Sequence, residues 1–205
     1  PREGVLPSRE LVEKVKRVHE DGWETGSIGW RYRWDPKKAA SLILRSQTTA
    51  VSARYLATKP KLPVKAFCIS RIFRPDVLDA THSMEFYQCD GIVADYNVSF
   101  RHLLGFLKEI FARLGIKEVK FKPAYFPFTE PSVEVYAYHP RLGWVESAGA
   151  GIFRPEVVKP LGLECPVLAW GIGVDRLAMA LMGINDIRQL FSDSLSFLRE
   201  FKVRL

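Results

Sequence analysis

An α+β fold, with a mostly antiparallel sheet flanked by helices, is what this 205-residue sequence predicts. Strand-like runs follow one another as hairpins, 63–73 with 85–95 and again across 118–150, and helical stretches lie between and after them without regular alternation. Residues 99–115 carry an unbroken 3.6-residue apolar period. A hydrophobic content of 47% with 26% charged residues is that of an ordinary folded chain, long enough for one sizeable core.

In chain order, 7–22 reads as a first helix, capped by Ser8, with Leu11, Val12, Val15 and Val18 as its apolar stripe. Residues 23–36 mix glycine, tryptophan and arginine. Trp30, Tyr32 and Trp34 alternate with Arg31 and Arg33 as in a short hairpin strand, either a lid over apolar surface or an aromatic and basic patch for RNA. Asp35-Pro36 starts another helix, with a cap followed by proline at the first helical position. Residues 41–46 read as a strand, 48–58 as a helix, and 63–73 and 85–95 as the arms of a long hairpin. In 99–115, Phe100, Leu103, Leu104, Leu107, Ile110, Phe111 and Leu114 share one face, and Gly115 stops the helix. Strands follow at 118–124, 132–139 and 143–150, then a helical turn near Pro155, a strand at 166–172 and a helix at 173–183. Two regions are expected within one domain: residues 1–40 as a helix with an aromatic and basic hairpin, and 41–205 as the core.

The formal charge of +7 favours an anionic partner such as a nucleotide or RNA. No apolar run approaches the roughly 18–20 residues that span a bilayer, so no membrane partner is expected. Cys68, Cys89 and Cys165 are far apart and have no metal-ligand spacing, which fits a reducing cytosol. The first residue is Pro1 rather than methionine, so a fragment of a longer protein is expected.

Three constellations carry chemistry. The hairpin loop holds Arg74, Asp76 and His82, with Phe86 on the returning strand, and Pro75 fixes the turn beside the arginine. A guanidinium aimed in this way suits bidentate pairing with phosphate, although a surface hairpin with weak local ion pairs reads equally well. Residues 171–176, "GIGVDR", lack the third glycine and the βαβ unit of a dinucleotide fingerprint. The glycines instead admit a ligand to the backbone, and Arg176 in the first helical turn can lie over an aromatic ring or a phosphate. In "FPFTEP" Phe126 and Phe128 face one side of a strand, with Glu130 at the same parity. Aromatic walls favour a ring ligand, and a carboxylate buried beside them needs a cation.

Together these segments resemble the catalytic domain of class II aminoacyl-tRNA synthetases and, more narrowly, the alpha subunit of phenylalanyl-tRNA synthetases of the archaeal and eukaryotic type. "ISRIFRPDVLDATHSMEFYQCDGIVAD" is similar to the second motif of that class, and "GIGVDRLAMAL" to its third. "LRSQTTAVSARYL", "FKPAYFPFTEPSVEVY", "GAGIFRPEVVKPLGL" and "GINDIRQLF" resemble segments particular to the phenylalanine enzyme. The first motif of the class is not evident and is expected upstream. Gln47 stands where the family usually has histidine, and Asp76 and Asp90 stand where glutamate is expected.

The resemblance implies phenylalanine–tRNA ligase activity and a place for each site residue. Arg74 would bridge the ATP α-phosphate and the amino-acid carboxylate. Asp76 would face the adenine or ribose, and His82 the outer phosphates. Phe86 and Arg176 would sandwich the adenine. Thr49, Gln88 and Asp90 would hold the amino group, and Phe126, Phe128 and Phe153 would line the side-chain pocket. Glu130 would bind Mg2+, shared with a beta subunit in a heterotetramer of two alpha and two beta chains, and tRNA-Phe would be the acyl acceptor. The alternative is a synthetase paralogue of altered specificity, or without catalysis, serving as a binding or scaffold module.

Overall fold

The computed structural model describes residues 4–139 and 143–201. Its centre is a six-stranded antiparallel sheet in the order β1-β2-β6-β5-β4-β3. The strands are β1 (Val64–Phe73), β2 (Glu85–Ala94), β3 (Val119–Phe126), β4 (Thr129–His139), β5 (Gly143–Phe153) and β6 (Val167–Gly173). Around them lie α1 (Arg9–Asp21), α2 (Pro36–Ala40), α3 (Thr49–Ala57), α4 (Phe100–Arg113), α5 (Pro155–Val158), α6 (Val174–Met182) and α7 (Leu195–Glu200). The α+β architecture is the expected one.

One face of the sheet is closed by α4. Leu103, Leu107 and Phe111 are fully buried against Val133, Val135, Ala148, Ala150, Leu168 and Ile172. Each such side chain contributes about 1.5–3 kcal/mol of burial. Ser99 caps α4, and the reciprocal contact comes from His102, whose Nδ1 accepts from the Ser99 N–H at 3.1 Å. Beneath the other face α3, α5 and the segment that follows α5 pack Leu56, Val158 and Leu163 on Ile92, Phe153 and Val167. That face is left open above them, between the β1–β2 loop and the start of α6.

Two expected strands are absent. Residues 41–46 form no ladder apart from an isolated bridge at Ser41, and Leu42, Ile43 and Leu44 are exposed. The Phe73 N–H donates to the Arg45 carbonyl at 2.7 Å, which ties the segment to the end of β1. Residues 30–34 form no hairpin because their backbone donors go to α1. The Trp30 N–H reaches the His19 carbonyl at 2.8 Å, and the Trp34 N–H reaches Glu20 Oε1 at 2.8 Å. Arg31 sits at φ +60° between them. Tyr32 and Trp34 both pack edge-on against the His19 ring, so they wrap a helix instead of sharing a strand face. On α1 only Val18 of the expected stripe is buried.

Candidate active site

On β2 the side chains of Phe86, Gln88 and Asp90 alternate onto the open face of the sheet. The ladder sets Asp90 opposite Gly171 on β6 and Gly171 opposite Gly149 on β5, and Gln88 stands opposite Gly173. The floor of the site is therefore a strip of glycine. A Cβ at Gly171 would come within 2.7 Å of Gln88 Nε2, and one at Gly149 within 2.7 Å of Phe126 Cζ. These glycines make room for the side chains of the site, as well as for a ligand.

Over this floor is a cavity of about 640 Å³. Thr49, Arg74, Asp76, His82, Phe86, Gln88, Asp90, Phe126, Phe128 and Arg176 all line it, from α3, the β1–β2 loop, β2, the β3–β4 turn region and α6. The expected site residues thus converge on one hollow, with two exceptions. Phe153 is buried beneath Phe128, its ring centroid 6.3 Å away, so it backs the wall without forming it. Glu130 is exposed and lies outside the lining. The turn at Pro127–Phe128 separates β3 from β4, so Phe126 and Phe128 do not share one strand and Glu130 does not inherit their side.

The β1–β2 loop is shaped by its own hydrogen bonds. The Arg74 N–H donates to the Met84 carbonyl at 2.9 Å, closing the hairpin, and Arg74 Nε donates to the Ser46 carbonyl at 3.2 Å. The guanidinium that sits over the Phe86 ring, 5.4 Å from its centroid, is that of Arg74. Asp79 gathers the turn: its Oδ1 accepts the N–H groups of Thr81 and His82, both at 2.7 Å, and its carboxylate meets His82 Nδ1 at 3.0 Å. The backbone N–H of Thr81, then the His82 ring, hold the Asp79 carboxyl well below the usual range. With Nδ1 engaged, Nε2 is the His82 atom available to a ligand. Asp79 was not among the expected site residues, although its spacing of three from His82 is the signal an Asx turn leaves in sequence.

Arg176 is braced across the hollow. Its guanidinium donates from Nε to the Thr81 carbonyl at 3.4 Å and from Nη1 to the Glu146 carbonyl at 3.0 Å. Its neighbour Asp175 is buried, and Oδ2 accepts the Tyr87 N–H at 2.5 Å. Burial pushes the Asp175 carboxyl up, partly offset by that bond. On the amino-acid side, the Thr48 N–H donates to Gln88 Oε1 at 2.9 Å, and Thr49 Oγ1 donates to Asp90 Oδ1 at 2.8 Å. Burial raises the Asp90 carboxyl, and hydroxyls from Ser52 and Thr49 oppose the rise. Glu146 also lines the cavity and was not foreseen.

Among the described residues no three His, Cys, Asp or Glu side chains converge as a metal cage. The cavity combines guanidinium and imidazole at one end with a buried carboxylate, hydroxyl and amide beside two phenyl rings at the other. Such a site can neutralise phosphate charge at one end and receive an ammonium next to an aromatic side chain at the other.

The model of the "tRNA synthetases class II core domain (F)" matches residues 16–201. The chain is 57% identical over 204 residues to a protein of Pyrococcus furiosus named "Phenylalanine--tRNA ligase alpha subunit", covering 99% of this chain and 41% of that protein. Proteins of the same name from Sulfolobus acidocaldarius and Archaeoglobus fulgidus are 52% and 53% identical, over 98% and 95% of this chain and 42% and 41% of theirs. The chain thus spans about two fifths of the length of the curated relatives it matches. With its antiparallel sheet and a cavity between the segments 72–90 and 171–176, this chain belongs to the family of the class II tRNA synthetase core domain (F).

Proposed function

We propose that this chain is the catalytic core that activates phenylalanine with ATP and passes it to the terminal 2′-OH of tRNA-Phe. The observation that carries the reading is the gathering of Arg74, His82, Phe86 and Arg176 with Thr49, Gln88, Asp90, Phe126 and Phe128 around one cavity.

ATP enters with its magnesium as substrate. Phe86 carries the adenine, with Arg176 on the other side, and Asp76 faces the ribose or base. His82, held through Nδ1 by Asp79, offers Nε2 to the outer phosphates. Asp90 and Thr49 receive the ammonium of phenylalanine while Phe126 and Phe128 enclose its ring, with Phe153 supporting Phe128 from behind. Arg74 draws the amino-acid carboxylate and the α-phosphate together. A carboxylate oxygen attacks the α-phosphorus in line, the bond to the β-phosphate breaks, and pyrophosphate leaves. No side chain becomes a covalent nucleophile, so positioning and charge neutralisation supply the rate. The 2′-OH then attacks the acyl carbon and AMP departs.

Glu130 is exposed, and among the described residues no cluster of His, Cys, Asp or Glu forms a magnesium site with it. Its proposed role needs ligands from a beta subunit, and no step above runs through it. That partner, tRNA-Phe as acceptor and a cytoplasmic setting are part of this proposal, and the words "tRNA ligase alpha subunit" in the relatives' name support the first two. The positive charge of the chain and the lack, among its described residues, of a helix able to cross a membrane are in keeping with them. Residues 41–205 form the core in this reading and 1–40 its appendage.

The deciding experiment is phenylalanine-dependent ATP–pyrophosphate exchange by the full-length alpha chain with its beta partner. Exchange that is lost in Phe128→Ala through phenylalanine affinity, with ATP affinity kept, is the expected result. A complete complex that binds ATP yet exchanges with no amino acid would overturn the ligase reading in favour of a binding module.

A further inference from the structure

Asp90 is 1% exposed and has no ion-pair partner among the described residues. Its two oxygens are taken instead by hydroxyls from one helix. Thr49 Oγ1, in the first turn of α3, donates to Oδ1 at 2.8 Å, and Ser52 Oγ, one turn later, donates to Oδ2. A spacing of three puts both hydroxyls on the same helix face. The ionised carboxylate only accepts, so each hydroxyl spends its proton inward and turns its lone pairs away. The same helix start holds the next site residue on β2, through the Thr48 N–H and Gln88 Oε1.

An unpaired carboxylate at this depth is costly to ionise, and hydroxyl donors reduce that cost. The other titratable groups close to it are the Cys89 and Cys68 thiols, on β2 and β1, while β6 brings only Gly171. No cation among the described residues pairs with Asp90, so its charge is left for a cation from the cavity. Ser52 does not line that cavity. It reaches a ligand only through the Asp90 carboxylate.

We propose that Ser52 is a positioning residue that, working through Asp90, sets the affinity of the cavity for a primary ammonium group. The assignment rests on the ligase reading above and adds to it a residue outside the contact surface. Thr49 touches both Asp90 and the cavity, so it serves as a direct contact. Ser52 holds the other carboxylate oxygen, Oδ2, through its hydroxyl.

The test compares wild type, Ser52→Ala and Ser52→Thr in the full-length complex. The probes are phenylalanine, 3-phenylpropanoate, which lacks the amine, and ATP, with binding measured by calorimetry. Losing a hydrogen bond to a charged group costs about tenfold or more in affinity. S52A is therefore expected to weaken phenylalanine by about that factor and to leave 3-phenylpropanoate and ATP unchanged, and S52T is expected to restore binding. Unchanged phenylalanine affinity in S52A, or equal weakening of phenylalanine and 3-phenylpropanoate, overturns the proposal. A second readout stands apart from the ligase reading: a 13C-carboxyl NMR titration of Asp90. Its pKa should be higher in S52A than in wild type, and an unchanged value overturns the proposal even if the wild-type complex binds no phenylalanine.

Discussion

Asp175 at the start of α6 and Tyr87 on β2 are joined by a hydrogen bond of 2.5 Å from the Tyr87 N–H to the buried Asp175 carboxylate. The bond fastens the helix turn that carries Arg176 to the strand position next to Phe86. The separation between that arginine and that ring is thus set by a neighbour of each. Asp175→Ala leaves the partly buried Tyr87 N–H without its acceptor, at a cost of about 1–3 kcal/mol. It should raise KM for ATP about tenfold and leave KM for phenylalanine within about twofold, since the loss falls on the nucleotide side. Asp175→Asn keeps an acceptor and should recover most of the ATP affinity in exchange kinetics.

Asp79 organises the hairpin loop from an exposed position, so its removal should alter function more than folding. In Asp79→Ala the Thr81 and His82 N–H groups lose their acceptor and the imidazole loses its orientation. Hydrogen exchange at those two amides should become fast, and KM for ATP should rise severalfold with little change in the thermal midpoint. Slow exchange in the variant would show that the turn does not depend on this carboxylate.

Much of the fold was legible because its signals are local. The period of α4 and the hairpin arms β1 and β2 stand in the sequence within a residue or two of their observed ends. What failed were segments whose backbone partners lie elsewhere. Residues 30–34 look like a strand until the Trp30 and Trp34 N–H groups are found bonded to α1. Leu42, Ile43 and Leu44 have β-type side chains but no ladder beside them. In the site, Arg74, Phe86 and Arg176 were foreseen from chemistry at their own positions and from family resemblance. Ser52 and Asp175 were missed because each acts across roughly forty residues or more of chain, on Asp90 and on the Tyr87 N–H. Phe153 shows the reverse error: an aromatic residue assigned to a pocket that instead supports the ring lining it.

The glycine floor gives a test of close packing. In Gly149→Ala the new methyl would lie 2.7 Å from Phe126 Cζ, well inside contact distance, so the ring must swing into the cavity or out of it. Either movement changes the space left for an aromatic side chain. Phenylalanine should bind at least about tenfold more weakly while ATP affinity is kept. If phenylalanine affinity is unchanged, Phe126 is not a rigid wall.

Arg74 is the most demanding site residue chemically, because its role calls for two directed contacts as well as charge. Arg74→Ala should abolish exchange. Arg74→Lys keeps the charge and loses the planar fork, so it should fall about 100-fold in kcat/KM with the protein still folded. Activity close to wild type in the lysine variant would mean that point charge alone suffices at this position.

The pH dependence of stability follows from the two buried carboxyls. Asp90 and Asp175 both have folded-state pKa values raised, first by burial, above the ordinary value near 4. As pH rises from that value toward the folded-state values, the native protein holds more protons than the unfolded chain. Each carboxyl therefore lowers stability with rising pH across that window, and above it the loss is constant. Asp79 and Asp186, whose carboxyls are lowered by hydrogen bonds, act in the opposite sense and lose their contribution as pH falls through their depressed values. Asp90→Asn removes one of the raised groups. Urea midpoints measured from pH 4 upward should fall less steeply in D90N than in wild type, and D90N/D175N should be flatter still. Parallel curves for wild type and both variants would mean that neither carboxyl is shifted by its burial.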